Sequence, residues 1–204
     1  MTTISYSLLA MILIIGIFAS KNSSSETTPT QIGTSVEAAS WLSGDHHIHS
    51  RFSVGWNMES GVPQPIIGGD AIYPTAMNAL MARYHNLSWM VTTDHGGPKH
   101  SKVNLDLAYP ELVRSRRVVP ELLQFYGLEL NTPGGDHSSI IIPHTTAEAD
   151  HLLNLESQFD SREIYPADEA RNHSQQMLLA LKKMQSIHPS PLVFAHHPSR
   201  SATQ

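Results

Sequence analysis

Residues 44–50 read GDHHIHS, and on an extended backbone the imidazoles of His47 and His49, two positions apart, project to one face and can grip one cation. His46 then projects to the opposite face. Four more groups of the same chemistry follow. His95 ends the stretch VTTDH, Glu129 lies inside the apolar GLEL, His137 opens HSSIII after PGGD, and His197 follows LVFAH. A single histidine is more often a satisfied core or surface residue than a ligand, but repeated placement beside the ends of apolar runs points to metal ligation. Burying Glu129 without a partner is costly. A cation is the simplest compensation, and a salt bridge to Arg114, Arg116 or Arg117 is the plain alternative. A ligating imidazole is better oriented when its other N–H meets a carboxylate, a task open to Asp45 or Asp94; Asp94 is assigned a supporting role beside His95. Lys99, His100 and Arg200 lie just past two of these strand ends and could meet an anionic group, although a solvated surface position is the commoner fate of such residues.

The chain has 204 residues, enough for one domain with a core, and thirteen of them are histidine. It contains no cysteine, which excludes disulfides, thiolate zinc sites and thiol nucleophiles. Any metal must be held by nitrogen and oxygen. The net charge of -5 arises without a block of either sign, so bulk charge gives no support to nucleic-acid binding. Residues 8–18 (LLAMILIIGIF) form an uncharged apolar run suited to a signal-peptide hydrophobic region. Residues 1–20 are accordingly read as a signal peptide or N-terminal anchor, residues 21–40 as a Ser/Thr-rich linker and residues 41–204 as the folded domain. The expected location is periplasmic or extracellular, or membrane-anchored through that first segment alone.

From Trp41 onward, apolar runs ending in polar or histidine-rich residues alternate with helix-like stretches, the rhythm of β/α units around a parallel sheet or barrel. Residues 74–85 predict a helix whose apolar face carries Ala76, Met77, Leu80, Met81 and Tyr84. Residues 87–93 predict a buried strand that empties into Asp94-His95-Gly96-Gly97. Strands are also predicted at 123–130, 138–142 and 192–195, and a helix at 166–187 with Met177, Leu181 and Met184 on one side. The stretch from Val54 to Asp70 has no periodic signal. In a parallel α/β barrel the C-terminal strand ends share one face, where such a site would assemble.

The order HxH, then TDH, then an internal Glu with a His shortly after, then His-Pro resembles the PHP (polymerase and histidinol phosphatase) superfamily. The stretches GDHHIHS, VTTDHGG and GLELNTPGGDHSSIIIP are most similar to its CehA/McbA-like branch of metallohydrolases. The likeness covers about residues 41–200. It implies an α/β fold, a distorted (β/α)7 barrel, with two or three divalent ions (zinc, manganese or iron) bound by His47, His49, His95, Glu129, His137 and His197. It also implies hydrolysis of a small-molecule ester, most often a phosphate ester, by a metal-activated water. Carboxylic or carbamic ester cleavage and a non-catalytic metal-binding module are the alternatives. Two departures stand out. Where many relatives carry an Asp soon after HxH, this chain reads Ser53-Val54-Gly55, and the family's last motif, Asp-x-His, has no counterpart before Gln204. The expectation drawn from the second is a domain lacking its last strands, a fragment or an incomplete site, that binds metal substoichiometrically and turns over esters slowly.

Overall fold

The computed structural model describes residues 40–196. The signal or anchor segment, all but the last residue of the linker, His197 and Arg200 therefore lie outside the described residues. The strands are β1 (Gly44–Ile48), β2 (Gly55–Asn57), β3 (Gln64–Ile66), β4 (Trp89–Thr92), β5 (Leu123–Asn131), β6 (His137–Ile142) and β7 (Leu192–Ala195). The helices are α1 (Thr75–Tyr84), α2 (His100–Val103), α3 (Tyr109–Val118), α4 (Glu148–Phe159) and α5 (Ser174–Gln185). A π-helical turn, Asn104–Ala108, joins α2 to α3 without a break, so the described residues form four helical bodies beside the sheet. No helix among the described residues is long and apolar enough to cross a membrane.

The main sheet has the order β1-β4-β5-β6-β7 and curls into a half-barrel. This corrects the expected (β/α)7 barrel. Only β1, β4 and β5 run parallel, whereas β5–β6 and β6–β7 are antiparallel. The physical reason lies in residues 132–136. They are the whole connection between β5 and β6, and a parallel crossover needs about a dozen residues or more. A tight Pro-Gly-Gly turn makes a hairpin instead, and the β/α rhythm stops there.

Alternation along β5 and β6 divides the sheet into two faces. Tyr126, Leu128 and Leu130 of β5, with Ile140 and Ile142 of β6, form the main core together with Leu112, Leu152, Leu155, Ala180 and Met184 from the helices. Glu129 of β5 and His137 and Ser139 of β6 take the opposite parity. Gly127 is needed in the same strand, because a Cβ there would stand 2.6 Å from the Ile140 carbonyl oxygen and 2.7 Å from Val91 Cγ1.

Two helical expectations are also corrected. α1 forms where predicted but buries Thr75, Ala79 and Ala82, while Met77, Leu80, Met81 and Tyr84 are exposed. Its small residues let it lie close to Met90, Val119 and Leu122. The long helix predicted for 166–187 is α5 alone, preceded by a short 3-10 turn, Glu169–Arg171. The aperiodic stretch before α1 holds the β2–β3 hairpin, a separate two-stranded antiparallel sheet.

Candidate metal centre

The strand ends bring five of the six expected ligands together. β1 supplies His47 and, one residue past its end, His49; His95 lies beyond β4, Glu129 within β5 and His137 at the start of β6. Because β6 is antiparallel, its N-terminal end sits beside the C-terminal end of β5, with His137 in register with Asn131. The His47 and His49 ring centroids are 4.8 Å apart, those of His49 and His95 5.0 Å, and those of His95 and His137 5.6 Å.

Glu129 is the hub. It is 2% exposed, its Oε2 lies 2.9 Å from His49 Nε2 and 3.9 Å from His95 Nε2, and its Oε1 lies 2.8 Å from His137 Nδ1 and 3.8 Å from His47 Nε2. The arginine alternative is not what the structure shows. Arg116 instead bonds Glu148 through its guanidinium. Among the described residues, two groups of side chains could hold a metal ion, and both contain Glu129: His49, His95 and Glu129, and His47, Glu129 and His196, with ligand atoms in each group all within 4.8 Å of one another.

Electrostatics favour a cation at both positions. Burial pushes the His47 imidazole down to about 4, outweighing the attraction of Glu129, and also lowers His95. Those rings are therefore neutral at physiological pH, with lone pairs to donate. Burial works against charge on His49 too, but the Glu129 and Asp70 carboxylates beside it outweigh burial and raise it. For Glu129, burial opposes ionisation, and the bonds from His137 and His49 override it, holding the carboxyl well below the usual carboxylate range. His95 Nδ1 is buried with no hydrogen-bond partner among the described residues. An ionised buried carboxylate beside the neutral imidazoles of His47 and His95 is a donor set that suits a divalent N/O site.

The surrounding contacts differ from those expected. Asp45 accepts the His47 backbone N–H at 3.0 Å and orients no imidazole. His47 Nδ1 instead lies 3.0 Å from Thr93 Oγ1 and 3.3 Å from Ser139 Oγ, which leaves Nε2 towards Glu129. Asp94 is 1% exposed and accepts bonds from the Ser50 amide, the Ser50 hydroxyl and the Ser53 hydroxyl, so it braces the turn after β1. Ser53 Oγ in turn accepts the His95 backbone N–H at 3.1 Å. Ser53 thus ties β1's exit to β4's. His100 is buried, bonded to Glu156 and to the Phe52 carbonyl oxygen, and is not placed to meet an anionic ligand.

Sequence reasoning missed Asp70 and His196. Asp70 Oδ2 lies 2.8 Å from His49 Nδ1 and 3.4 Å from His95 Nε2. The signal for it was faint, a Gly-Gly-Asp at the end of an aperiodic stretch. His196 sits with its ring centroid 4.1 Å from that of His47. It could have been found by counting: Phe194 pairs with Ser139, so a period of two puts Phe194 and His196 on the face of Glu129. His46 does not turn away as expected. β1 shifts register between Asp45 and Ile48, and the bulge leaves the His46 ring 5.1 Å from Phe194 and 5.4 Å from His196. No family model, curated protein or solved structure matches the chain.

Proposed function

We propose that this chain is a divalent-metal-dependent hydrolase, a phosphoesterase related to the PHP enzymes, that takes zinc, manganese or iron at two neighbouring positions. The observation that carries the reading is Glu129, one buried carboxylate whose oxygens address separate sets of imidazoles, His47 and His137 on one side, His49 and His95 on the other. A carboxylate shared in this way suits a pair of cations acting on the attacking and leaving oxygens of a displacement at phosphorus. Bound ions would supply Lewis acidity towards the substrate oxygens and bring the pKa of a water near neutrality. The chain's own contribution is placement. Thr93 and Ser139 fix the ring angle of His47, Asp70 fixes the tautomer and ring angle of His49, and Ser53 fastens the His95 backbone. The order of the histidine motifs along the chain supports the same reading.

The test is turnover of phosphomonoesters, phosphodiesters and carboxylic esters by the purified chain with added zinc, manganese or iron. Phosphoester hydrolysis that a chelator abolishes and the ion restores is the expected result. Hydrolysis of carboxylic esters alone would move the reading to that chemistry, tight metal binding with no turnover would make the domain a metal-binding module, and turnover indifferent to chelation would contradict the proposal.

A further inference from the structure

Among the described residues, the two groups that could hold a cation are braced from different parts of the chain. For the group of His47, Glu129 and His196 the brace comes from the main sheet: His47 Nδ1 lies 3.0 Å from Thr93 Oγ1, just past β4, and 3.3 Å from Ser139 Oγ in β6. For the group of His49, His95 and Glu129 it comes from outside the sheet. His49 Nδ1 lies 2.8 Å from Asp70 Oδ2, while Nε2, across the ring, lies 2.9 Å from Glu129 Oε2. Asp70 belongs to the segment that leaves β1, forms the β2–β3 hairpin and returns to α1. The base of that hairpin is pinned. The Asp70 amide donates to the Ser53 carbonyl oxygen at 3.2 Å, the Gly68 amide to the Arg51 carbonyl oxygen at 2.7 Å, and the Val54 amide to the His95 carbonyl oxygen at 3.1 Å. Gly69 lies against Gly55, so that a Cβ on Gly69 would come within 2.4 Å of the Gly55 nitrogen. One hairpin therefore holds the backbone of His95 and the ring of His49, both members of the same group.

We propose that the β2–β3 hairpin, acting through Asp70 as a positioning residue for His49, sets the affinity of the His49, His95 and Glu129 position and leaves the His47, Glu129 and His196 position to the sheet. The inference rests on the metal-centre reading above and adds to it an unequal dependence of the two positions on one segment of chain. An imidazole offers Nε2 to a cation only when its hydrogen is on Nδ1 and its ring is turned the right way, and a carboxylate that accepts this N–H secures both. When the hairpin moves away, Asp70 leaves with it and His49 loses that constraint. A cation on Nε2 in turn makes the Nδ1–H a stronger donor to Asp70. Uptake at this position and docking of residues 55–70 therefore stabilise each other by the same factor.

The experiment titrates the full chain with zinc and follows the imidazole nitrogen resonances of His47 and His49 separately, in the wild type and in Asp70→Ala, Asp70→Asn and Glu59→Gln. Glu59 lies on the same hairpin and hydrogen-bonds Asn57, so its substitution removes an equal charge without touching the centre. The expected result is that Asp70→Ala weakens zinc uptake at His49 by about 10- to 100-fold, the range for an outer-shell partner, and leaves the response of His47 where it was. Asp70→Asn, whose side-chain oxygen still accepts the His49 N–H, should recover part of the loss, and Glu59→Gln should bind as the wild type does. In the wild type alone, zinc should slow amide exchange across residues 55–70, a readout that stands even if a variant folds poorly. Unchanged uptake at His49 in Asp70→Ala, equal losses at His47 and His49, zinc that reaches His47 but not His49 in the wild type, or no zinc-dependent protection of the hairpin would overturn the inference while leaving the metal-centre reading in place. A wild-type chain that takes up no zinc would overturn both.

Discussion

A carboxylate sealed from water is tolerated only where something repays its lost hydration, and two of this chain's buried carboxylates, Glu129 and Glu156, meet that need with different partners. At Glu129 the partners are imidazoles, His47 and His95 lowered by burial and His49 raised by the carboxylates beside it, in groups that could hold a metal ion. At Glu156 the partner is His100. Both side chains are 1% exposed, their contact is 2.5 Å, and a second bond runs from His100 Nε2 to the Phe52 carbonyl oxygen. Burial lowers the His100 pKa, but Glu156 more than reverses this and carries it up to about 9. His100 is thus a charged structural strut. Replacing it by Ala should destabilise the fold by about 3–5 kcal/mol, because a buried charge is left without its partner; urea unfolding of His100→Ala checks this. A loss below about 1 kcal/mol would show that Glu156 takes up a proton or water instead. The two histidine roles were only partly separable beforehand. His95 and His100 both follow the same apolar run, and residue type alone says nothing about which one turns inward to an acid. The clustering of the His and Glu side chains on strands was legible because an apolar run with a His or Glu in or beside it already states burial and direction. Asp70 was not, because its place is set by backbone bonds between residues far apart in the chain.

At the scale of elements, the candidate metal centre is braced by the segment that follows α4. The Glu163 carboxylate accepts the Ser101 amide and hydroxyl, and its carbonyl oxygen accepts the Lys99 amide, pinning the start of α2 just beyond His95. Asp160 accepts the amide and side-chain N–H groups of Asn131 at the end of β5, two residues from Glu129, and is also bonded by the Arg162 amide. Burial raises both acids, Asp160 to about 6 and Glu163 to about 7, with Glu156 adding to each and the bonds from Asn131, Arg162 and Ser101 opposing. A folded-state pKa above the unfolded value means the folded chain binds the extra proton. This contribution is therefore fully present below about pH 4 and is lost as pH rises through about 7. The melting temperature should fall across that window, and Glu163→Gln, which keeps an oxygen for Ser101, should flatten the fall; equal slopes in both proteins would refute it. None of this clamp is visible in the sequence, since it joins β5, α2 and the end of α4. α1 shows a different failure. Its location was legible from Pro74 and the residues after it, but hydrophobicity chose the wrong face. Close packing on β4 and α3 rewards Ala79 and Ala82 and leaves Met77, Leu80, Met81 and Tyr84 outside.

Across the whole molecule, the sheet arranges its ligands by strand ends even though it is not the expected barrel. Two β/α crossovers deliver His47, His49, His95 and Glu129 to one end of the parallel strands. The hairpin at residues 132–136 then does what a third crossover would have done, returning His137 to that end by reversing the chain. The antiparallel β7 brings His196 alongside, its amide bonded to the His137 carbonyl oxygen at 2.8 Å. The convergence of ligands was therefore legible without the architecture, because either kind of connection can place a side chain at the same end of a sheet. Among the described residues, Glu129 belongs to both groups of side chains that could hold a metal ion, and the proposed metal centre turns on it. The most direct measurement is the metal content of the full chain and of Glu129→Gln after equilibration with zinc and dialysis, with folding of each followed by circular dichroism. Zinc retained by the wild type and lost from a folded Glu129→Gln is the predicted result; a folded Glu129→Gln that retains the wild-type zinc content, or a wild type that retains none, would contradict it.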